Sequence, residues 1–156
     1  MKNKIAIMPC NGVGRVVSTI TREAAYKIHS LRPDTTILIS SPDLAVDNPD
    51  TLSNAKKYPL IVIDCCKPRC GSNILKAKGI KPILEIYAPL VCADKKIPLS
   101  GETRVRLGVK GALLAEIIAE IAIQAIDDIL SGKIPTIQKN LPFEVYMDNE
   151  EMLSRL

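Results

Sequence analysis

Leu60-Ile61-Val62-Ile63-Asp64-Cys65-Cys66-Lys67-Pro68-Arg69-Cys70 is the most informative stretch of the chain. Its first half is the clearest strand in the chain, apolar and rich in β-branched residues. Its second half delivers three of the five cysteines directly behind that strand. A helix is expected to start near Arg69 and to end at Gly79.

Outward from this segment the pattern repeats. Residues 4–8 read as a short buried strand, the break from Pro9 to Gly14 is a turn, and a helix runs from Arg15 to about Leu31. Residues 35–39 are a second strand closed by Ser40-Ser41-Pro42-Asp43. Asp47 to Lys57 is a polar link with a short helix. Lys81 to Ala88 reads as a fourth strand ended by Pro89, with a polar loop over 93–107. From Gly108 to Ser131, Leu113, Leu114, Ile117, Ile118, Ile121, Ala125, Ile129 and Leu130 recur at helical spacing, and Gly132 with Pro135 supplies the stop. Strands alternating with helices require crossovers between parallel neighbours. The expected fold is therefore α/β: a three-layer, mainly parallel sheet of about four strands in flavodoxin-like or Rossmann-like order, with a long C-terminal helix. The chain reads as a single domain over 1–156, divided into a cysteine-bearing core (1–92), a long amphipathic helix (108–131) and a C-terminal extension (132–156). The apolar stripe of the long helix is expected to pack on the sheet, with a homodimer through 108–131 as the other use for it.

Composition agrees with this reading and narrows the function. At 47% hydrophobic, with one Phe and no Trp, the core must be built from Ile, Leu, Val and Ala, as in helix-covered parallel sheets. A chain of 156 residues buries enough surface to fold without disulfides. The formal net charge of +4, from 21 basic and 17 acidic residues scattered along the chain, is not the clustered basic stripe of a nucleic-acid binder. No nucleic-acid partner is expected. Pro9-Cys10-Asn11-Gly12 interrupts the N-terminal apolar run before it could form a signal-peptide core. The stretch 111–130 carries Glu116, Glu120, Asp127 and Asp128, which a membrane span tolerates poorly. A cytoplasmic location is expected, and five cysteines there read as thiolates, ligands or redox groups before a disulfide framework.

Cys10 follows the first strand, Cys65 and Cys66 follow the third, and Cys92 comes shortly after the fourth, all at the carboxyl edge of a parallel sheet. In the order 2-1-3-4 these strands are neighbours about 4.8 Å apart, and ligands bind where the strand order reverses. Cys70 lies four residues after Cys66, a spacing that would return it to the same side of a helical turn. Zinc suits such a set, since it takes thiolates tetrahedrally at about 2.3 Å. A helix N-terminus at Cys70, with Lys67 and Arg69 beside it, is expected to favour the thiolate. Asp64, immediately before the cysteines, reads as an acceptor behind the metal ligands, a fifth ligand or a general base for a metal-bound water, or else as the acceptor that stabilises the turn.

Ile63-Asp64-Cys65-Cys66-Lys67-Pro68-Arg69-Cys70, with Ile74-Leu75 and Gly79-Ile80 behind it, resembles the signature of the DGC family, in which Asp-Gly-Cys precedes a further cysteine four residues on. Cys10-Asn11-Gly12-Val13-Gly14 resembles the family's N-terminal cysteine and glycine turn, and the likeness covers about the first 90 residues. The family's zinc-binding role is inferred from its cysteines. The resemblance implies that Cys66 and Cys70 take the paired positions and Cys10 the first one. Cys65 stands where the family has glycine, and Ser40 or Ser41 where many members have a cysteine, which leaves Cys65 or Cys92 to complete the set.

Rival chemistries remain. Adjacent Cys65 and Cys66 with Cys70 could carry thiol redox or sulfur-transfer chemistry, and four thiolates could also hold an iron-sulfur cluster. Cys10 to Arg15 resembles a cysteine-dependent phosphatase loop, but four residues rather than five separate the pair, which would turn the arginine by roughly 100° from the anion. His29, late in the first helix, reads as a packing residue, and Glu102, Arg104 and Arg106 as solvated loop charges.

Overall fold

The structure is a computed structural model and describes residues 4–135. Of the expected C-terminal extension, 136–156 lie outside the described residues. The elements run β1 (Ile5–Pro9), α1 (Val16–Leu31), β2 (Thr36–Leu38), α2 (Ser41–Ala45), α3 (Pro49–Lys57), β3 (Leu60–Asp64), α4 (Cys70–Ala77), β4 (Leu84–Tyr87), α5 (Ala88–Asp94) and α6 (Val109–Leu130). The sheet is parallel throughout, in the order β2-β1-β3-β4. The expected α/β class, strand count and long C-terminal helix are all present.

Because successive side chains of a strand point to opposite faces, β1 and β3 split their apolar residues between two cores. Ile5, Ile7, Ile61 and Ile63 face α1, α5 and α6, meeting Ile20, Ala24, Ile28, Val91, Leu114, Ile118 and Ile126. Ala6, Met8, Leu60 and Val62 face the other layer, meeting Leu44, Ala55 and Leu75 of α2, α3 and α4. Burial on both faces is why these strands are apolar at every position. Of the stripe on α6, Leu114, Ile118, Ala125 and Ile129 are buried in this core, packed chiefly on α1 and α5 rather than directly on the sheet, while Leu113 is exposed. Lys27 with Glu116, and Arg32 with Asp127, pair across the α1–α6 seam.

Two helices go beyond the sequence reading, both opened by proline. Ser40 caps α2 by accepting from the Asp43 N–H at 3.3 Å, so Pro42 starts this helix rather than merely closing β2. Pro89 likewise sits in the first turn of α5, so the chain turns from β4 straight into a helix and the expected loop is shorter. Proline suits a first turn because its missing N–H would have no partner there.

Candidate thiolate centre

β1 and β3 flank the point where the strand order reverses, with β2 to one side and β4 to the other. Pro9 is in register with Ile63, and the Cys10 N–H continues the ladder to the Ile63 carbonyl at 2.9 Å. Cys10 and Cys65 each follow the last residue of their strand, on the two central neighbours. Their thiols meet: Cys65 Sγ donates to Cys10 Sγ at 3.0 Å, and both residues are buried. Thr21 Oγ1, within α1, donates to the Cys10 carbonyl at 3.1 Å and fixes the start of the following turn.

This contact separates the two thiols electrostatically. The hydrogen bond donated by Cys65 brings the Cys10 pKa down from the usual 9.0 to about 6, with the Gly12 N–H assisting and burial and the Asp64 charge opposing. Cys65 moves strongly upward, because it donates that bond, is buried and lies beside the Cys10 charge. The pair thus holds one proton between two sulfurs at neutral pH, with the thiolate on Cys10.

The segment behind Cys65 is a turn, not a helix. The Arg69 N–H closes onto the Cys66 carbonyl at 2.9 Å, so the spacing from Cys66 to Cys70 spans a turn and one helical residue. Arg69 takes a left-handed backbone, φ 46°, a conformation that costs a non-glycine residue about 1–2 kcal/mol. Its side chain is held at the same time, with Nη1 3.4 Å from Glu85 Oε2 and the guanidinium 4.7 Å from the Tyr87 ring centre. Asn73 Nδ2 donates to the Pro68 carbonyl at 2.7 Å and ties the tip of the turn to α4.

Asp64 anchors that helix. Only 2% exposed, it accepts from the Gly71 N–H at 2.9 Å and the Ser72 N–H at 3.1 Å, and also from the Ser72 hydroxyl. Its carboxylate thus caps the first turn of α4 from seven residues upstream of Gly71, the turn-stabilising role. Gly71 makes room for it: a Cβ there would stand 2.7 Å from Val62 Cγ2 and 2.9 Å from Asp64 Oδ1. Gly71 and Ser72 were not singled out in the sequence. Their signal is a glycine and a hydroxyl in the first turn of a helix that lacks a cap of its own.

The expectation that Cys70 would be a favoured thiolate is corrected here. Its pKa is raised, by desolvation and then by the charges of Cys10, Cys66 and Asp64. The first-turn amides that would have attracted a thiolate are occupied by Asp64, and Arg69 is drawn off to Glu85 and Tyr87. Cys70 is exposed and Cys66 partly so.

Cys92 stands apart from this arrangement. It rides on α5, packs against the core formed with α6 and donates to the Ile97 carbonyl at 3.1 Å. Its pKa is raised by burial alone. His29 lies near the opposite end of α1, where Nδ1 is 2.9 Å from Thr36 Oγ1. Glu102 has a structural job: it accepts from the Gly108 N–H at 2.6 Å and the Lys110 N–H at 3.1 Å, capping α6 as Asp64 caps α4. Thr19 Oγ1 donates to the Arg104 carbonyl at 2.7 Å and Arg104 Nη1 to the Gly14 carbonyl at 3.4 Å, which holds this loop on the start of α1.

The model of the DGC domain matches residues 6–101, more than half of the chain. The chain belongs to the DGC family. The match takes in β1 through α5 and every cysteine of this DGC chain, while α6 lies beyond it. Searches of curated proteins and of solved structures return no match. Among the described residues no helix is long and apolar enough to cross a membrane.

The donor set suits zinc in kind, being thiols with one already favoured as thiolate. In arrangement it is incomplete: among the described residues no three His, Cys, Asp or Glu side chains form a group that could hold a metal ion. The Cys10–Cys65 separation of 3.0 Å is also shorter than the roughly 3.8 Å edge of a tetrahedron with ~2.3 Å zinc–sulfur bonds.

Proposed function

We propose that this DGC protein is a zinc-binding protein whose site is nucleated by Cys10 and Cys65 and completed by Cys66 and Cys70. The observation that carries the reading is the meeting of Cys10 and Cys65 at the strand-order reversal, one of them favoured as a thiolate near neutral pH. Charges on Cys10 and Cys66 contribute to the raised Cys70 pKa, which supports reading these thiols as one group. Cys10, Cys65, Cys66 and Cys70 would hold the ion, with the 3.0 Å Cys10–Cys65 contact widening to the spacing of two zinc thiolates. Bound zinc would hold these thiolates deprotonated, leaving an open position if three coordinate and a closed site if four do. Asp64 fixes the start of α4, on which Cys70 stands, and Thr21 fixes the backbone of Cys10.

The test is metal analysis of protein purified without added metal, for the wild type and for Cys10→Ser, Cys65→Ser, Cys66→Ser, Cys70→Ser and Cys92→Ser. The expected result is stoichiometric zinc in the wild type and in Cys92→Ser, and its loss in Cys10→Ser and Cys65→Ser. A zinc-free wild type, or zinc retained in every variant, refutes the reading.

The absence of a three-residue metal group among the described residues favours a second reading, in which Cys10 and Cys65 work as a dithiol. Oxidation by a peroxide would join the two sulfurs, the two thiols giving up two protons and two electrons and the peroxide leaving as two waters. Peptide mapping of metal-free protein after mild peroxide treatment decides this, with a Cys10–Cys65 linkage expected. Linkages confined to Cys66 and Cys70 refute it.

A further inference from the structure

A cleft of about 330 Å³ opens on the β2 side of β1, where the carboxyl ends of these two strands meet one face of α1. Asn11 enters it from the turn behind β1 and Ser40 from the end of β2. Arg22 and Tyr26 come from α1, where a separation of four residues puts them on the same side of the helix. Leu38 and Ile39 supply an apolar wall. Two hydrogen bonds fix this frame. The Ile39 N–H carries the β1–β2 ladder on to the Ile7 carbonyl at 2.9 Å, and Thr21, next to Arg22, donates to the Cys10 carbonyl at 3.1 Å.

Arg22 is the only charged residue lining the cleft among the described residues. It is half-buried, yet it forms no ion pair among the described residues, whereas Arg32 pairs with Asp127 and Arg69 with Glu85. Glu23, next along the helix, lines a different hollow together with Lys27 and Arg106, since adjacent helical residues do not face each other. A guanidinium partly withdrawn from water and left without a counter-ion gains from an oxyanion placed on its planar fork. Ser40 Oγ accepts from the Asp43 N–H and keeps its own proton to donate, and the Asn11 amide adds a further donor. One cation matches one negative charge, and the Leu38–Ile39 wall suits a hydrocarbon chain rather than more charge. The size lies at the small end of the range for small-molecule sites.

We infer that this cleft binds a small aliphatic monocarboxylate, its carboxylate held by Arg22, Asn11 and Ser40 and its hydrocarbon laid against Leu38 and Ile39. Asn11 adjoins Cys10, so the ligand sits beside the thiolate centre, on the opposite side of β1 from Cys65, as its substrate or effector. The inference goes beyond the metal reading and does not require it.

The test is an amide-resolved NMR titration of metal-free, reduced protein with butyrate at constant ionic strength. Saturable shifts centred on Asn11, Arg22 and Ser40 are expected, with binding weakened at least about tenfold in Arg22→Gln, which removes the charge-assisted contacts. Lys76→Gln, on α4 across the sheet from α1, is expected to bind as the wild type does, which separates the cleft from the overall positive charge of the chain. Should Arg22→Gln fail to fold, Arg22→Lys, which keeps the charge and loses the planar fork, is still expected to weaken binding. The titrated protein carries no metal, so zinc content does not bear on the outcome, and failure of the metal reading is distinguishable from failure of this one. No saturable binding, shifts centred elsewhere, wild-type affinity in the Arg22 variants, an equal loss in Lys76→Gln, or inorganic phosphate bound more tightly than butyrate overturns the inference.

Discussion

Gly71→Ala tests the link between the sheet, the buried carboxylate and the cysteine-bearing turn. Helix propensity alone makes this change stabilising, since alanine is favoured over glycine by about 1 kcal/mol within a helix. The structure reverses the sign. The new methyl group would lie 2.7 Å from Val62 Cγ2, 2.9 Å from Asp64 Oδ1 and 3.4 Å from Met8 Cε. Val62 is a fully buried residue of the central strand β3, and Asp64 is fixed by three donors, so neither retreats freely. Overpacking of this sort costs about 1–3 kcal/mol, and displacing the carboxylate from the Gly71 N–H forfeits a charge-assisted bond of about 1.5–3 kcal/mol. Less the propensity gain, the net loss is about 1.5–5 kcal/mol. Urea unfolding measures it: with a slope of about 2 kcal/mol per molar, the midpoint should fall by about 0.75–2.5 M at unchanged slope. A midpoint equal to or above that of the wild type refutes the claim that Asp64 caps α4 through a space only glycine leaves open.

Ultraviolet titration of metal-free protein should show one thiolate forming near pH 6, and Cys65→Ala should move that step upward, toward the usual 9.0, since the donated hydrogen bond is its main cause. The Cys10 pKa is lower in the fold than in the unfolded chain, so its stabilisation is complete above pH 9 and is lost as pH falls through about 6. Cys65, Cys70 and Cys92, all raised, contribute in the opposite direction only as pH climbs past 9. The metal-free protein should therefore gain stability from this pair between pH 6 and 8, and a stability profile that is flat there in the wild type and in Cys65→Ala alike would refute the coupling. Glu102→Gln should loosen the start of α6, read as faster amide exchange over its first turn, because the residue accepts from Gly108 and Lys110. Cys92→Ala should leave the pH 6 thiolate step in place, since its thiol is directed to Ile97.

The fold was legible wherever periodicity carried it. The strands at 60–64 and 4–8 are apolar on both faces because helices cover both faces, and the stripe on 108–131 fixes α6. Proline was the weak signal. At Pro42 and Pro89 it reads equally as the end of a strand or the first turn of a helix, and only the backbone around it decides. That ambiguity hid α5, and with it the fact that Cys92 rides on a helix with its thiol turned to Ile97.

Chain order alone sets which thiols follow parallel strands, because a crossover connection puts every strand's carboxyl end on one edge. Membership of Cys10 and Cys65 in that edge, and the acid ahead of the cysteines, follow from order along the chain. That Cys10 and Cys65 touch, that Asp64 turns toward α4, and that Arg69 pairs with Glu85 and Tyr87 instead of standing by Cys70 comes from packing in three dimensions. Pairing across neighbouring strands depends on register, and the direction of a side chain depends on which partner, distant in sequence, offers the better hydrogen bond. Neither is written in local spacing.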